Sequence, residues 1–163
     1  MKTARIVVVV GLVAAVASAF ALARRAPQLT EKDRIREAIE RARRGVVAHR
    51  LSEILAVVSS DYEDGNHTRD TLRALIAYGL RQYPAVQVTL FVTDIQVRGD
   101  EADVDTGIKA AARDSGGTPA DWEGTLRLRF AREPARRHIL FRDHAWRVVR
   151  IDGLGDVQDA FAR

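Results

Sequence analysis

The chain has 163 residues, which is enough for one ordinary domain with a leader or a tail but not for two full cores. It has no cysteine, which excludes a disulfide framework, a thiolate metal site and a cysteine nucleophile. Its 26 basic and 22 acidic residues leave a net charge of +4, and the basic residues lie on both sides of an acidic middle region. Nucleic-acid-binding proteins usually gather Lys and Arg on one face, so this distribution disfavours nucleic acid as a partner.

The first 23 residues have the layout of a targeting segment. Lys2 and Arg5 precede an uncharged run of 18 residues, 6–23, which is long enough to span a bilayer. Small residues at 17–19, 19–21 and 21–23 match the Ala-x-Ala pattern that a signal peptidase reads. We therefore expect an exported, periplasmic or membrane-anchored protein, with this segment either cleaved or retained. Arg24 and Arg25 leave open the inverted orientation, in which the domain faces the cytoplasm.

After a linker at 24–30, apolar spacing predicts three helices. Thr30 is a good N-cap for the first, and Gly45 predicts a break or bend at its end. A second apolar stripe predicts a helix over 47–58. Thr68 is placed to cap the third helix, and Pro84 to end it.

Beyond Pro84 the apolar period changes from about 3.6 residues to 2, which predicts strands. The first, over 86–97, shifts phase near Asp94, as a β-bulge would cause. A hairpin turn at 99–101, a strand over 102–108, a loop over 113–121 and a strand over 125–130 follow. A turn at 134–137 then leads to a last strand over 139–151. Alternation predicts that the following positions point toward the helices: Val88, Leu90, Val104, Ile108, Leu126, Leu128 and Phe130.

These elements predict an α+β fold, with three N-terminal helices covering one face of an antiparallel sheet of about four strands. Three local motifs occur within this order. They are Asp61-Tyr62-Glu63-Asp64 after the second helix, the strand–turn–strand segment 95–102, and the segment 146–151 on the last strand. In this arrangement the chain resembles the nuclear transport factor 2-like superfamily, also called the ketosteroid-isomerase or polyketide-cyclase-like fold. The resemblance covers about residues 31–152 and leaves 153–163 as a C-terminal tail.

The resemblance implies a curved sheet wrapped around the helices as a cone, or cystatin-like roll. The interior of such a cone can hold a small apolar ligand, and the resemblance also implies a homodimer. Members of the superfamily include isomerases, dehydratases, cyclases and binding modules, and its enzymes place a Tyr, Asp or His inside the cone as acid or base. The strand positions predicted to point inward in this chain carry no group that can transfer a proton.

The acidic turn at 61–67 contains the candidate catalytic residues. Tyr62 can donate a hydrogen bond, and Asp61 or Asp64 can act as a base if burial raises its pKa, with His67 beside them. The alternative is structural, with Tyr62 packing its ring while the two aspartates accept hydrogen bonds from turn amides. The sequence favours this structural alternative, because Asp-rich turns are common before helices.

Five residues are candidates for lining a ligand pocket: His49, Tyr62, Trp122, Trp146 and Arg150. No two of the four histidines have the i, i+4 spacing of a helical metal site, so we expect neither a metal ion nor another cofactor. Arg127 and Arg129 are expected to pair with Asp103 or Asp105 across strands on the outer face of the sheet.

Three functions remain open at this point. The first is a membrane-targeted or exported module that binds a small ligand or a protein partner. The second is an isomerase, dehydratase or cyclase that uses Tyr62 with Asp61 or Asp64. The third is a structural dimerisation domain whose cone is filled by its own side chains. The absence of an inward-pointing acid or base on the strands favours the first.

Overall fold

The computed structural model describes residues 29–136 and 142–155. Three helices come first, α1 (Glu31–Val47), α2 (Leu51–Leu55) and α3 (Arg69–Gln82). Four strands follow, β1 (Ala85–Arg98), β2 (Glu101–Arg113), β3 (Pro119–Arg136) and β4 (Arg142–Asp152). The strands form one antiparallel sheet in the order β1-β2-β3-β4. The predicted α+β architecture is therefore confirmed.

The predicted targeting segment, residues 1–23, lies outside the described residues. Within the described ranges, the structure contains no helix with the length and apolar character needed to cross a membrane.

The sequence predicts that helix α1 breaks or bends at Gly45, but the helix continues to Val47. At Gly45 the helix makes a close approach to α2, where a Cβ atom would lie 2.8 Å from Ile54 Cγ1. Glycine is therefore needed here for packing rather than for a bend. Helix α3 begins as predicted, because Thr68 and Thr71 form a reciprocal capping box.

The predicted second helix over 47–58 is wrong in extent, because α2 covers only Leu51–Leu55. The chain after it runs beside β4 and covers the edge of that strand. Val148 N–H donates to the Val57 carbonyl over 2.8 Å, and Ser59 N–H donates to the Val148 carbonyl over 2.9 Å. These partners are far apart in sequence, so a local pattern cannot predict their pairing.

The predicted bulge in β1 is confirmed, since the register with β2 shifts between Val92 and Asp94. Thr93 stands at the shift, and its hydroxyl donates to the Asp105 carbonyl over 2.9 Å. The loop predicted over 113–121 is shorter in the structure, because β2 runs to Arg113 and β3 begins at Pro119. Pro134 was expected in a turn but lies within β3, where it pairs with His144 of β4.

The inner face of the sheet packs against the helices, and the positions predicted to point inward all lie on it. Its lower half joins the helices in a closed core. That core contains Ile35, Ile39, Tyr62, Leu72, Ile95, Ala102, Val104, Phe130, Trp146 and Val148. One end of the inner face contributes no residue to this core, and we call it the upper half. It consists of Val86, Val88, Leu90, Ile108, Ala110, Ala112, Ala120, Trp122 and Gly124.

The outer face of the sheet is covered by charged side chains that pair across strands. Arg127 Nε lies 2.7 Å from Asp105 Oδ1, and Arg129 Nε lies 3.3 Å from Asp103 Oδ1. The cross-strand pairing that the sequence predicts for these residues is therefore present. Phe91 is 51% exposed on this face, where it lies beside Gly107.

Candidate functional site

The acidic turn places Tyr62, Asp64 and His67 in one hydrogen-bonded cluster. Tyr62 is buried in the core, and its hydroxyl donates to Asp64 Oδ2 over 2.7 Å. Asp64 Oδ1 accepts the backbone N–H groups of Asn66 over 2.8 Å and of His67 over 2.7 Å. The His67 ring nitrogen Nδ1 lies 3.2 Å from Asp64 Oδ2. Gly65 makes this tight reversal possible by adopting a φ of 92°.

The surroundings of Tyr62 and Asp64 move their pKa values in opposite directions. Burial, with the adjacent Asp64 carboxylate, raises the pKa of the Tyr62 hydroxyl above its ordinary value. Burial also acts to raise the pKa of Asp64. The hydrogen bonds from Tyr62, the two amides and the His67 ring outweigh that effect and hold the pKa of Asp64 below its ordinary value.

This arrangement leaves Asp64 ionised and Tyr62 protonated near neutral pH, with the two groups engaged by each other. A general base needs a carboxylate whose pKa is raised toward the working pH, and Asp64 has the opposite shift. Asp61 lies outside the cluster. Its side chain is exposed, and its N–H donates to Ser59 Oγ over 2.9 Å.

A small cleft of about 220 Å³ adjoins Asp64 and His67 on one side. Arg150 and Asp152 line its other side, together with Ile151 and residues 153–155. Arg150 Nε donates to Asp152 Oδ1 over 2.7 Å, and this hydrogen bond and charge raise the pKa of the guanidinium. The structure thus brings Arg150 to the acidic turn, but in a polar cleft rather than in an apolar pocket.

The other pocket candidates lie apart from this cleft. The Trp146 ring is buried in the core, where its Nε1–H donates to Glu31 Oε2 over 2.6 Å and the Arg132 guanidinium lies 5.3 Å from the ring centre. His49 adopts a φ of 54°, and its Nε2 lies 2.9 Å from the Tyr83 carbonyl. It therefore joins the turn after α1 to the end of α3.

Trp122 projects from the upper half of the inner face. It lies within β3, ahead of the segment 125–130 that the sequence predicts as strand. Its ring lies over Gly124, where a Cβ atom would be 2.5 Å from Trp122 Cζ2. The glycine thus allows the indole to lie along the strand. Among the pocket candidates, Trp122 is the one that reaches the half-buried apolar surface of the upper half.

Sequence reasoning missed several residues around these sites. Asp152 and Asn66 line the polar cleft, and Glu31 holds Trp146. Asn66 belongs to the acidic turn itself, whereas Asp152 and Glu31 meet their neighbours across separate elements, so no local signal predicts those two contacts. Gly124 was predictable in principle, because a glycine two positions after a tryptophan in a strand leaves room for the ring on that face. In the described part of the chain, no three His, Cys, Asp or Glu side chains are grouped to hold a metal ion.

No protein-family model matches the sequence, and no curated protein matches it significantly. Solved structures do match it. A candidate scytalone dehydratase from Novosphingobium aromaticivorans aligns with a TM-score of 0.62 and 16% identity, over 74% of this chain and 80% of that chain. A candidate dehydratase of the NTF2-like family from Streptomyces avermitilis aligns with a TM-score of 0.59 and 12% identity, over 74% of this chain and 93% of that chain.

An NTF2-like superfamily protein from Salmonella enterica also aligns, with a TM-score of 0.57 and 15% identity, over 72% of this chain and 84% of that chain. At these identities the likeness establishes the fold. What the chain does has to be argued from its own residues.

Proposed function

We propose that this chain, which has the nuclear transport factor 2-like fold, is a binding module for a small, uncharged apolar ligand. The ligand would lie on the upper half of the inner face. The observation that carries the proposal is the division of that face. Its lower half contains the buried core, whereas the upper half contributes no residue to that core and each of its residues except Ala112 is only half-buried.

The composition of the upper half supports an uncharged ligand. Its nine residues are all apolar, and Trp122 supplies an aromatic surface of the kind that packs well against a planar molecule. The nearest polar side chain in the next row of the sheet, Thr106, is buried and donates its hydroxyl to the Leu126 carbonyl over 3.0 Å. Neither these nine side chains nor Thr106 offers a charged ligand a partner, and Arg43, which reaches the Val88 carbonyl from α1, is already paired with Glu40, so a charged ligand would lose its hydration at a cost.

The acidic turn supports binding rather than catalysis. Asp64 is held as an ionised acceptor by its own turn, and the Tyr62 hydroxyl is already committed to it. The enzyme alternative would need Asp64 to take a proton from a substrate. Its lowered pKa works against that role.

The proposal includes a location. The basic start, the 18-residue uncharged run and the Ala-x-Ala sites of residues 1–23 support export or anchoring at the membrane. The alternative is an inverted anchor that leaves the domain in the cytoplasm.

The ligand proposal predicts the effect of removing the indole of Trp122. Fluorescence titration of the purified chain with 1-aminoanthracene, a neutral planar probe, should give saturable binding. Trp122→Ala should weaken it by about two- to tenfold, because an aromatic contact of this kind is worth about 0.5–1.5 kcal/mol. The dissociation constants of the two proteins are the measurement.

Phe91→Ala is the matched control. It also removes an aromatic ring from a strand, but this ring is exposed and lies on the outer face of the sheet. We expect it to bind the probe like the natural chain. Equal affinity for the natural chain and Trp122→Ala, or loss of binding in Phe91→Ala, would place the probe elsewhere and contradict the proposal.

A further inference from the structure

The two edges of the sheet are treated differently. The β4 edge is covered by residues 57–63, which exchange backbone hydrogen bonds with Val148 and Val149. The β1 edge is 14 residues long, and no backbone group within 29–136 or 142–155 bonds to it from outside the sheet. A long open edge is a template for pairing with another strand, and proteins usually shorten, charge or cover it.

The β1 edge has little of the usual protection apart from the β-bulge between Val92 and Asp94. Its first nine residues, Ala85–Thr93, include no charge, no proline and no glycine. Arg43 of α1 is the charged side chain that reaches this segment, and its Nη1 donates to the Val88 carbonyl over 3.3 Å. That contact shows that the Val88 carbonyl points away from β2, and alternate residues of a strand point their backbone groups the same way.

We propose that β1 pairs antiparallel with β1 of a second copy of this chain, about a two-fold axis at Thr89. Thr89 is the middle residue of the uncharged segment Ala85–Thr93. A two-fold axis there pairs this segment along its whole length with the same segment of the second copy. Val86 would then lie opposite Val92 of the partner subunit, and Val88 opposite Leu90 of the partner subunit. The two four-stranded sheets become one continuous sheet of eight strands.

A second copy suits this edge because every opposed pair is compatible. The inner-face pairs are all apolar. On the outer face, Thr89 meets Thr89 of the partner subunit, which is a favourable cross-strand pair. The exposed Phe91 ring meets Gln87 of the partner subunit. On pairing, Arg43 gives up its hydrogen bond to the Val88 carbonyl, which then accepts a backbone N–H of the partner strand. Arg43 keeps its ion pair with Glu40, in which Arg43 Nη2 lies 2.7 Å from Glu40 Oε1.

The absence of cysteine makes the pairing directly testable. In the full-length Thr89→Cys variant, the axis sets the two new thiols opposite each other, at a Cα separation of about 4.5–5.5 Å that a disulfide can span. Mild oxidation should convert most of the protein to a disulfide-linked dimer on a non-reducing gel.

Two single-cysteine controls should stay monomeric on that gel. Gln87→Cys tests the register, because its thiols would be about 13 Å apart. Thr125→Cys tests face-to-face packing, because it is exposed on the outer face of the inner strand β3.

A charge at the axis gives a second, reversible test. Thr89→Lys sets two ammonium groups opposite each other, and like charges in a cross-strand pair destabilise it. The mass of the full-length protein, measured by light scattering, should fall from dimer to monomer, whereas Thr125→Lys should remain dimeric. An unlinked Thr89→Cys protein overturns the proposal. So does a Thr89→Lys protein that keeps the dimer mass, a monomeric natural chain, or linkage through Thr125→Cys, which would indicate face-to-face packing.

Discussion

At the scale of single residues, Asp64 organises the turn between α2 and α3. It accepts a hydroxyl and two backbone N–H groups, with the His67 ring beside it, while the residue is only 9% exposed. Hydrogen bonds to a buried charge contribute more than those between neutral groups. The carboxylate therefore stabilises the turn and the beginning of α3 together.

We predict that Asp64→Asn lowers the free energy of unfolding at pH 7 by about 1–3 kcal/mol. The amide keeps one acceptor oxygen but loses the charge and the acceptor that faces Tyr62. Urea denaturation followed by circular dichroism measures the difference. Asp61→Asn is the control, since Asp61 is exposed and should change stability by no more than about 0.5 kcal/mol.

The same carboxylate predicts a dependence on pH. Its pKa is lowered in the folded state, so its contribution is present above the unfolded value of about 4 and is lost as the pH falls through the lowered folded value. The stability difference between the natural chain and Asp64→Asn should therefore shrink below about pH 4. A difference that stays constant down to pH 2 would show that Asp64 is not the titrating group.

At the scale of elements, two helix glycines have opposite surroundings. Gly45 of α1 faces Ile54 of α2 so closely that a Cβ atom would lie 2.8 Å from its Cγ1 and 3.1 Å from its backbone nitrogen. Gly79 of α3 has no atom within 4 Å of the corresponding position. Replacing each glycine by alanine therefore tests two different effects, tight packing at Gly45 and intrinsic helix propensity at Gly79.

Gly45→Ala should lower the free energy of unfolding by about 1–3 kcal/mol, because the added methyl group forces α1 and α2 apart. Gly79→Ala should raise it by up to about 1 kcal/mol, because alanine favours a helix over glycine and nothing is displaced. Thermal and urea denaturation of both variants gives the comparison. A stabilising effect at Gly45 would mean that the helix crossing is looser than the structure has it.

Several elements were predictable from the sequence because their signals are local. Alternation placed Val104, Leu128 and Phe130 on the inner face, and the phase shift near Asp94 located the bulge. The boundaries that were wrong depend on distant partners. The end of α2 depends on hydrogen bonds between residues 57–63 and β4, and Pro134 lies in β3 opposite His144 of β4.

In the candidate site, too, the sequence predicted what is local and missed what depends on distant contacts. The sequence gathered Asp61, Tyr62, Asp64 and His67 in one turn, and three of them form a cluster. It did not show that Asp61 points to solvent, nor that Arg150 lies beside Asp64. Side-chain orientation in a turn depends on which groups the rest of the fold buries, and residue spacing alone does not determine it.

At the scale of the whole molecule, the proposed targeting segment, residues 1–23, would decide which ligands and partners the domain can meet. We predict that the full-length chain, expressed in a bacterial host, is recovered in the membrane or periplasmic fraction. Leu12→Arg with Val13→Arg places two charges near the middle of the uncharged run 6–23. Each charge at the centre of a membrane segment costs about 2.5–3.5 kcal/mol on an insertion scale. This variant should therefore stay in the cytoplasmic fraction.

Leu12→Ile with Val13→Leu is the matched control, since it changes the same positions but keeps them apolar. Intact mass of the recovered protein separates the two forms of the prediction. Loss of residues 1–19, 1–21 or 1–23 means cleavage at one of the Ala-x-Ala sites, and the full mass in the membrane fraction means a retained anchor. If the retained form is found, protease added outside the inner membrane should digest the domain only when it faces the periplasm. Identical fractionation of the natural chain and the two-arginine variant would rule out targeting by this segment.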